Sequence, residues 1–275
     1  MKKIVIITNI SRDPEYLYTI AAETMLQAAG FITVRYTPSF SDDNESDVFM
    51  NARAILVLGG DGTILNASHL AANYHLPILA VNLGRLGYIA QLEKTDLEKI
   101  VPILSSNFST EERAMLSVTL TRDQTVIYQN KTALNDAVIS KLNGHGIIEF
   151  ELYANEKLIN YYRGDGLILA TATGSTAYSM SAGGCIVDPS LRIIEATPIA
   201  AHSLKARPIV FSDSHVLKLV VLPSQNEACI TLDGETVTPL RPYDKIEVSL
   251  SENVTKLVSS DHGFCHILYQ KMSDL

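Results

Sequence analysis

An apolar run, Ala54-Ile55-Leu56-Val57-Leu58, ends abruptly in Gly59-Gly60-Asp61-Gly62-Thr63. A buried strand feeding such a turn, followed by the helix-like apolar spacing of Ile64 to Tyr74, sets two chemistries side by side. Glycines let a phosphate approach the main chain, and a helix start offers it unpaired N–H groups and the positive end of a dipole. Asp61 adds a carboxylate able to take a proton from an attacking hydroxyl. The five residues alone suit a phosphate cradle with a base and a plain capped turn equally, because an Asp at a helix start often serves only as a cap. They are not a P-loop, since no Gly-Lys-Ser/Thr follows. Nor are they the dinucleotide fingerprint, which needs glycines at positions one, three and six.

A second constellation begins at Arg163-Gly164-Asp165-Gly166 and runs through Leu167 to Thr171 into Thr173-Gly174-Ser175-Thr176-Ala177-Tyr178-Ser179-Met180-Ser181-Ala182-Gly183-Gly184. Small residues admit a flat ring or a ribose, and the hydroxyls can satisfy its edges where water is excluded. A short helix with a polar, ligand-facing surface, ended by Gly183-Gly184, is predicted here; a Ser/Thr-rich loop would read the same way. Asn135-Asp136, between Leu134 and the apolar Ala137-Val138-Ile139, can bind two ribose hydroxyls or form an ordinary turn.

The elements that must carry these residues fall into two textures. Up to about residue 108, apolar strands alternate with helical periods, which predicts an α/β domain with a parallel sheet and flanking helices. Ile4 to Thr8 is its first strand. Pro14 to Ala29 is a helix starting after Asp13 and stopped by Gly30, and Phe31 to Tyr36 is the next strand. The acidic stretch Phe40 to Asn51 reads as a mobile loop by the site or a solvated connection. Pro77 to Val81 is a strand opening into a second glycine loop, Asn82 to Tyr88, and Thr95-Asp96-Leu97-Glu98 has the form of a capping box for a helix to Ser106. From 109 to 260 the segments 116–120, 148–152, 218–222, 228–232 and 245–250 are alternating or β-branched. They predict a mainly β, sandwich-like C-terminal domain with a turn at Asp233-Gly234. Residues 261–275 form a C-terminal segment expected to pack back on the first domain.

Composition narrows the function class. Hydrophobic residues make up 47% of the 275, enough for substantial cores. A net charge of -8 without a basic stripe excludes broad nucleic-acid backbone binding. Cys185, Cys229 and Cys265 are too few and too widely spaced for a disulfide framework or a zinc cluster, which points to a reducing, cytoplasmic setting. Met1 to Thr8 reads as a strand rather than a secretory leader, and no apolar run is long enough to span a bilayer. No two histidines have metal-ligand spacing on one element.

Taken in order, Gly59-Gly60-Asp61-Gly62-Thr63, the Asn82–Tyr88 loop, Asn135-Asp136 and Gly164 through Gly184 resemble the NAD kinases over nearly the whole chain. The resemblance implies transfer of the γ-phosphoryl group of ATP, or of a phosphoryl group from polyphosphate, to the adenosine 2′-hydroxyl of NAD. It makes Asp61 the proton acceptor and the turn Gly59, Gly60, Asp61, Gly62 and Thr63 the holder of the donor phosphates, with a divalent metal, Mg2+, sharing their charge. It assigns Asn135, Asp136, Arg163 and Asp165 to NAD contacts, and Thr176, Ala177, Tyr178, Ser179, Met180 and Ser181 to the lining of its pocket. Glu235 stands where members vary among polar types. The partners implied are small-molecule nucleotides, with no nucleic acid or membrane, and the assembly implied is a homodimer or homotetramer. One departure is Ala200-Ala201-His202-Ser203-Leu204, where many members carry Pro-His-Ser-Leu. Two rivals share parts of the pattern. A lipid kinase would line its pocket with apolar residues where this chain has Thr176, Tyr178, Ser179 and Ser181, and a nucleotide sensor would have no need of Asp61.

Overall fold

The computed structural model describes residues 2–37, 45–84, 87–142, 146–224, 226–259 and 263–273. Two compact units are formed, one by Met1–Glu112 with Thr255–Leu275 and the other by Arg113–Val254. Both boundaries fall inside strands.

The first unit holds β1 (Lys3–Thr8), α1 (Leu17–Ala28), β2 (Ile32–Tyr36), α2 (Glu45–Phe49), β3 (Ala52–Gly59), α3 (Asp61–Asn73), β4 (Pro77–Asn82), β5 (Leu92–Glu93) and α4 (Ile100–Ser105), with a 3-10 turn at Lys94–Lys99 before α4. In the second lie β6 (Thr110–Arg122), β7 (Thr125–Ala133), β8 (Asp136–Lys141), β9 (Ile148–Ala154), β10 (Lys157–Gly164), β11 (Gly166–Ala170), α5 (Tyr178–Ser181), β12 (Ile193–Ile199), β13 (Ile209–Ser212), β14 (Leu217–Val221), β15 (Ala228–Leu232) and β16 (Glu235–Leu240). The chain closes with β17 (Lys245–Val258) and α6 (Phe264–Ser273).

In the first unit β4, β3, β1 and β2 lie side by side, all parallel, and Lys256-Leu257 of β17 pairs with Pro77-Ile78. The strands are continuous apolar runs because both faces are covered. Ile4, Ile6, Leu56 and Leu58 pack with Ala22 and Leu26 of α1 and Ile100 and Leu104 of α4. On the other face Val5, Ile7, Ile55 and Val57 pack with Ile64, Ala67 and Ala71 of α3. The order 4-3-1-2 places β1 and β3 next to each other while the chain leaves them toward opposite edges. Such a switch point opens a crevice at the strands' carboxyl ends, which is where α/β sheets hold ligands.

Several boundaries differ from those read off the sequence. α1 starts at Leu17 rather than Pro14, because Tyr16 is left-handed at φ 54° and the Asp13 carboxylate caps from a distance, accepting the Tyr18 and Thr19 N–H groups at 3.2 and 2.9 Å. Its other end closes at Gly30, φ 85°, with the Phe31 N–H on the Leu26 carbonyl. The expected capping box at Thr95 lies inside the 3-10 turn. The pair actually formed is Glu93 with Asp96, whose Oδ2 accepts the Glu93 N–H at 3.2 Å. Of the predicted loop Phe40 to Asn51, residues 40–44 lie outside the described residues, and Glu45–Phe49 is helical because Phe49 is buried between the rings of Tyr36 and Tyr74.

The second unit is a β-sandwich. One antiparallel sheet runs β13-β12-β11-β8-β15-β16, and facing it are β10, β9, β14 and the start of β17, with β6 and β7. Ala137, Ile139, Leu167 and Leu169 from the first sheet and Phe150, Leu152, Leu217, Leu219 and Ile246 from the second enter one core. The outward face of β8 and β11 is also covered: Val138, Ile168 and Ala170 pack against Ala182 and Ile199. Burial on both faces explains why these two strands lack polar alternation. Asp233 and Gly234, at φ 50° and 83°, make the left-handed pair that a two-residue hairpin between β15 and β16 requires.

Candidate active site

In the first unit the switch point contains a cavity of about 380 Å³, lined by Ile7 and Thr8 at the end of β1, by Asn9 and Arg12 after it, and by Gly60 to Thr63 and Asn66 after β3. Asp61 stands in the first turn of α3, beside amides that a helix start leaves unpaired. Its Oδ2 accepts the Tyr88 N–H at 2.9 Å and its Oδ1 accepts the Ile89 N–H at 3.4 Å, so the second glycine loop orients the carboxylate. Each oxygen keeps acceptor capacity for a substrate proton. Thr63 faces inward as well, its hydroxyl accepting from Asn9 Nδ2 at 3.1 Å and from the Gly60 N–H at 3.4 Å. The glycine turn is thus tied to the loop after β1, a link that sequence spacing did not reveal. Within the second glycine loop, Arg85 and Leu86 lie outside the described residues. Asn82 shapes the start of that loop by accepting the Gly84 N–H at 3.0 Å and donating to Glu93.

The sandwich gathers a different set of groups at one end of β8 and β11. Asn135 and Asp136 are buried, and their backbone is held by a turn residue nearly a hundred positions along the chain. Asp233 Oδ1 accepts the Asn135 and Asp136 N–H groups at 2.7 and 3.1 Å, and Oδ2 accepts the Leu134 N–H at 2.7 Å. Thr171 ties down the same strand start, donating its hydroxyl to the Leu134 carbonyl and its N–H to the Asn135 carbonyl. Burial, aided by the like charge of Asp233, pushes the Asp136 carboxyl up to about 7. Two shielded oxygens, Asn135 Oδ1 and Thr173 Oγ1, have no hydrogen-bond partner among the described residues. Buried polar atoms are ordinarily paired, and the hydroxyls of Tyr128 and Tyr162 are the other buried side-chain oxygens without a hydrogen-bond partner among the described residues. Thr173 was not singled out from the sequence, where it is one hydroxyl among many.

Asp165 stands just before β11, at the opposite end of that strand, and Arg163 lies near the end of β10 in the facing sheet. Gly166 pairs with Ser140 and Ala170 with Asp136, which separates the two clusters by about 13 Å. Asp165 accepts Lys141 Nζ at 2.8 Å, and Arg163, half exposed, reaches Glu149 at 3.1 Å. The Ala200-Ala201 departure lies here: the Asp165 N–H bonds the Ile199 carbonyl and the His202 N–H bonds the Arg163 carbonyl. The segment therefore frames these residues through its backbone.

The hydroxyl-rich run differs from the single helix expected. A 3-10 turn, Gly174–Thr176, and the four residues of α5 are separated by Ala177 at φ -98°, ψ -126°, and the run closes at Gly183, φ 89°, with the Gly184 N–H on the Ser179 carbonyl. Its side chains do not all face outward. Tyr178, Met180 and Ser181 are exposed and Thr176 and Ala177 half-buried, whereas Ser179 is fully buried with its hydroxyl bonded to Glu195 and Thr197, both at 2.8 Å. Glu235 is exposed at the start of β16.

Among the described residues no group of three His, Cys, Asp or Glu side chains could hold a metal ion. Among the described residues, Asp61 is the one carboxylate lining the first-unit cavity, a donor set that suits Mg2+ bound through substrate phosphates and waters. No described helix is long and apolar enough to cross a membrane.

Residues 21–107 match the family model described as the ATP-NAD kinase N-terminal domain, and residues 134–260 match that of the ATP-NAD kinase C-terminal domain. A protein named NAD kinase from Lachnoclostridium phytofermentans is 34% identical over 284 aligned positions covering 100% of both chains. Another of that name, from Ruminiclostridium cellulolyticum, is 35% identical, with 99% of this chain and 98% of the other covered. Among solved structures, the yeast NADH kinase complexed with NADH superposes with a TM-score of 0.86 at 22% identity, covering 99% of this chain and 88% of that one. An Archaeoglobus fulgidus NAD kinase in complex with ATP gives 0.79 at 22% identity, with both chains fully covered. These two structures speak for the fold.

Proposed function

The chain belongs to the NAD kinase family and phosphorylates NAD to NADP, and from that premise we propose how its residues divide the reaction. ATP is the donor, with polyphosphate the alternative, and its phosphates lie over the amides of the Gly60–Thr63 turn. The acceptor is the adenosine 2′-hydroxyl of NAD. Asp61 takes the proton of that hydroxyl as its oxygen bonds to the γ-phosphorus and ADP leaves. Mg2+, held through the donor phosphates beside Asp61, would supply neutralising charge there. No covalent enzyme intermediate is required, because positioning a hydroxyl in line beside one carboxylate carries most of the rate.

The observation that carries this reading is Asp61 itself, a carboxylate fixed by two backbone N–H groups inside the switch-point cavity. The acceptor assignments have their own support. Asn135 Oδ1 and Thr173 Oγ1 suit the edge of an adenine, one accepting from an amine and the other donating to a ring nitrogen, with Asp136 beside them for a ribose hydroxyl. Asp165, about 13 Å away along β8 and β11, and Arg163 near the end of β10 suit the far half of a two-ended acceptor. Thr176, Ala177, Tyr178, Met180 and Ser181 line the pocket through exposed or half-buried groups, and Ser179 supports it from beneath. Glu235 is a peripheral contact. The reaction takes place in the cytoplasm, and the chain assembles as a homodimer or homotetramer, which sedimentation of the purified protein measures.

Purified protein given ATP, Mg2+ and NAD forms NADP. Asp61→Asn lowers kcat by about 10²–10⁴ while NAD still binds. Phosphate transfer to a lipid without NADP formation overturns the acceptor assignment, and an Asp61→Asn enzyme of undiminished kcat overturns the role of the carboxylate.

A further inference from the structure

We propose that Arg12 binds the donor's terminal phosphates, and that residue 84 is a glycine because the Arg12 guanidinium occupies the space a side chain would fill there. The proposal rests on the donor assignment made above for the glycine turn. Among the described residues, Arg12 is the only cationic side chain lining the switch-point cavity, where it joins Gly60, Asp61, Gly62 and Thr63.

Its backbone is fixed on both sides. The Arg12 and Asp13 N–H groups both bond the Asn9 carbonyl at 3.0 Å, and the Asn9 N–H bonds the Leu58 carbonyl of β3 at 2.9 Å. The Asn9 side chain donates to Thr63, and Asp13 is buried as the cap of α1. The loop is therefore pinned to the glycine turn and to the helix that follows, and only the long Arg12 side chain is left to move. That side chain ends against residue 84: a Cβ built on Gly84 would lie 2.1 Å from Arg12 Nη1 and 2.8 Å from Cζ. Among the described residues no carboxylate or carbonyl holds the guanidinium.

Electrostatics gives this arrangement a purpose. A triphosphate brought beside the Asp61 carboxylate meets like charge, in a chain whose net charge is already -8. The start of α3 offers about half a positive charge. A guanidinium supplies a full one, with a planar fork that can take two phosphate oxygens at once. Asn9 and Thr63, already bonded to each other, can hold that geometry but contribute no charge.

The test measures binding of inorganic tripolyphosphate and of ATP, each with Mg2+, by calorimetry, beside steady-state NADP formation, for the parent, Arg12→Ala, Arg12→Lys and Gly84→Ala. Arg12→Ala is expected to weaken both ligands at least tenfold with the KM for NAD within twofold, and Arg12→Lys to recover part of the loss. Gly84→Ala crowds only the far end of a flexible side chain, so it is expected to weaken the same ligands while the melting temperature stays that of the parent. Tripolyphosphate and ATP binding unchanged in Arg12→Ala overturns the proposal, even where the parent makes NADP. A parent that neither binds tripolyphosphate nor makes NADP overturns the donor assignment and this proposal with it.

Discussion

Gly87→Ala places a methyl group where the Asp61 carboxylate now sits. A Cβ on residue 87 would lie 2.1 Å from Asp61 Oδ1, 2.6 Å from Cγ and 2.8 Å from Oδ2. Restoring ordinary van der Waals separation requires the carboxylate or the loop to retreat by more than about 1 Å. The Tyr88 N–H that holds Oδ2 at 2.9 Å belongs to the next residue, so the displacement also strains that bond, which is worth about 1.5–3 kcal/mol with a charged acceptor. A base moved by about 1 Å loses on the order of 10² in rate. The expected outcome is a kcat lower by about 10²–10³ with both KM values changed by less than about fivefold, read from NADP formation coupled to an NADP-specific dehydrogenase. The double variant Gly87→Ala/Asp61→Asn is the sharper measurement. If the methyl acts only through Asp61, the double variant is no slower than Asp61→Asn alone. Fully additive losses, or a Gly87→Ala enzyme within threefold of the parent, would refute the reasoning.

Other perturbations test the second unit. Asp136 carries a folded pKa of about 7 against an ordinary 3.8, so its protonated form stabilises the fold fully below about pH 4, and that contribution is lost as pH rises through 7. The full effect is about 4 kcal/mol, of which about 2–3 kcal/mol is lost between pH 5 and pH 8. Urea unfolding of parent and Asp136→Asn at both pH values should show the parent losing that much more stability than the variant, and a difference below about 1 kcal/mol contradicts the assignment. Asp233→Ala strips the acceptor from three successive N–H groups, Leu134 to Asp136. It should cost about 3 kcal/mol of stability and raise the KM for NAD more than that for ATP, and an equal rise in both speaks against a positioning role. Gly174→Ala drives a Cβ to 2.0 Å from the Asn135 carbonyl oxygen, which is backbone and cannot swing aside. A loss of about 2–4 kcal/mol is expected, and a melting temperature equal to the parent's would show that the chain can part there at little cost.

Much of the architecture was legible in the sequence because burial writes itself into residue types. Strands covered on both faces, such as Leu56 to Leu58 and Leu167 to Ala170, must be continuously apolar, and a glycine turn at the end of such a strand is visible without coordinates. Local hydrogen bonding was less legible. Thr95 has the pattern of a cap, yet Glu93 forms the box, since several polar residues in succession compete for the same few N–H groups. Ser179 looked like a pocket residue because a hydroxyl has no direction in a sequence; in the fold it turns inward to Glu195.

The sequence by itself determined the chemistry at hand: a phosphate turn with a carboxylate, an Asn-Asp pair, and a hydroxyl-rich segment in one order along the chain. Tertiary structure decided which of these groups are held and by what. The strand order 4-3-1-2 set Arg12 and Asn9 beside Gly60 to Thr63 across some fifty residues, and a hairpin turn brought Asp233 to the amides of Leu134, Asn135 and Asp136 across nearly a hundred. Such contacts arise from sheet topology and from the need to pair buried N–H groups. Neither leaves a local mark on the residues that meet, so a single arginine or an Asp-Gly turn reads as ordinary until the chain is folded.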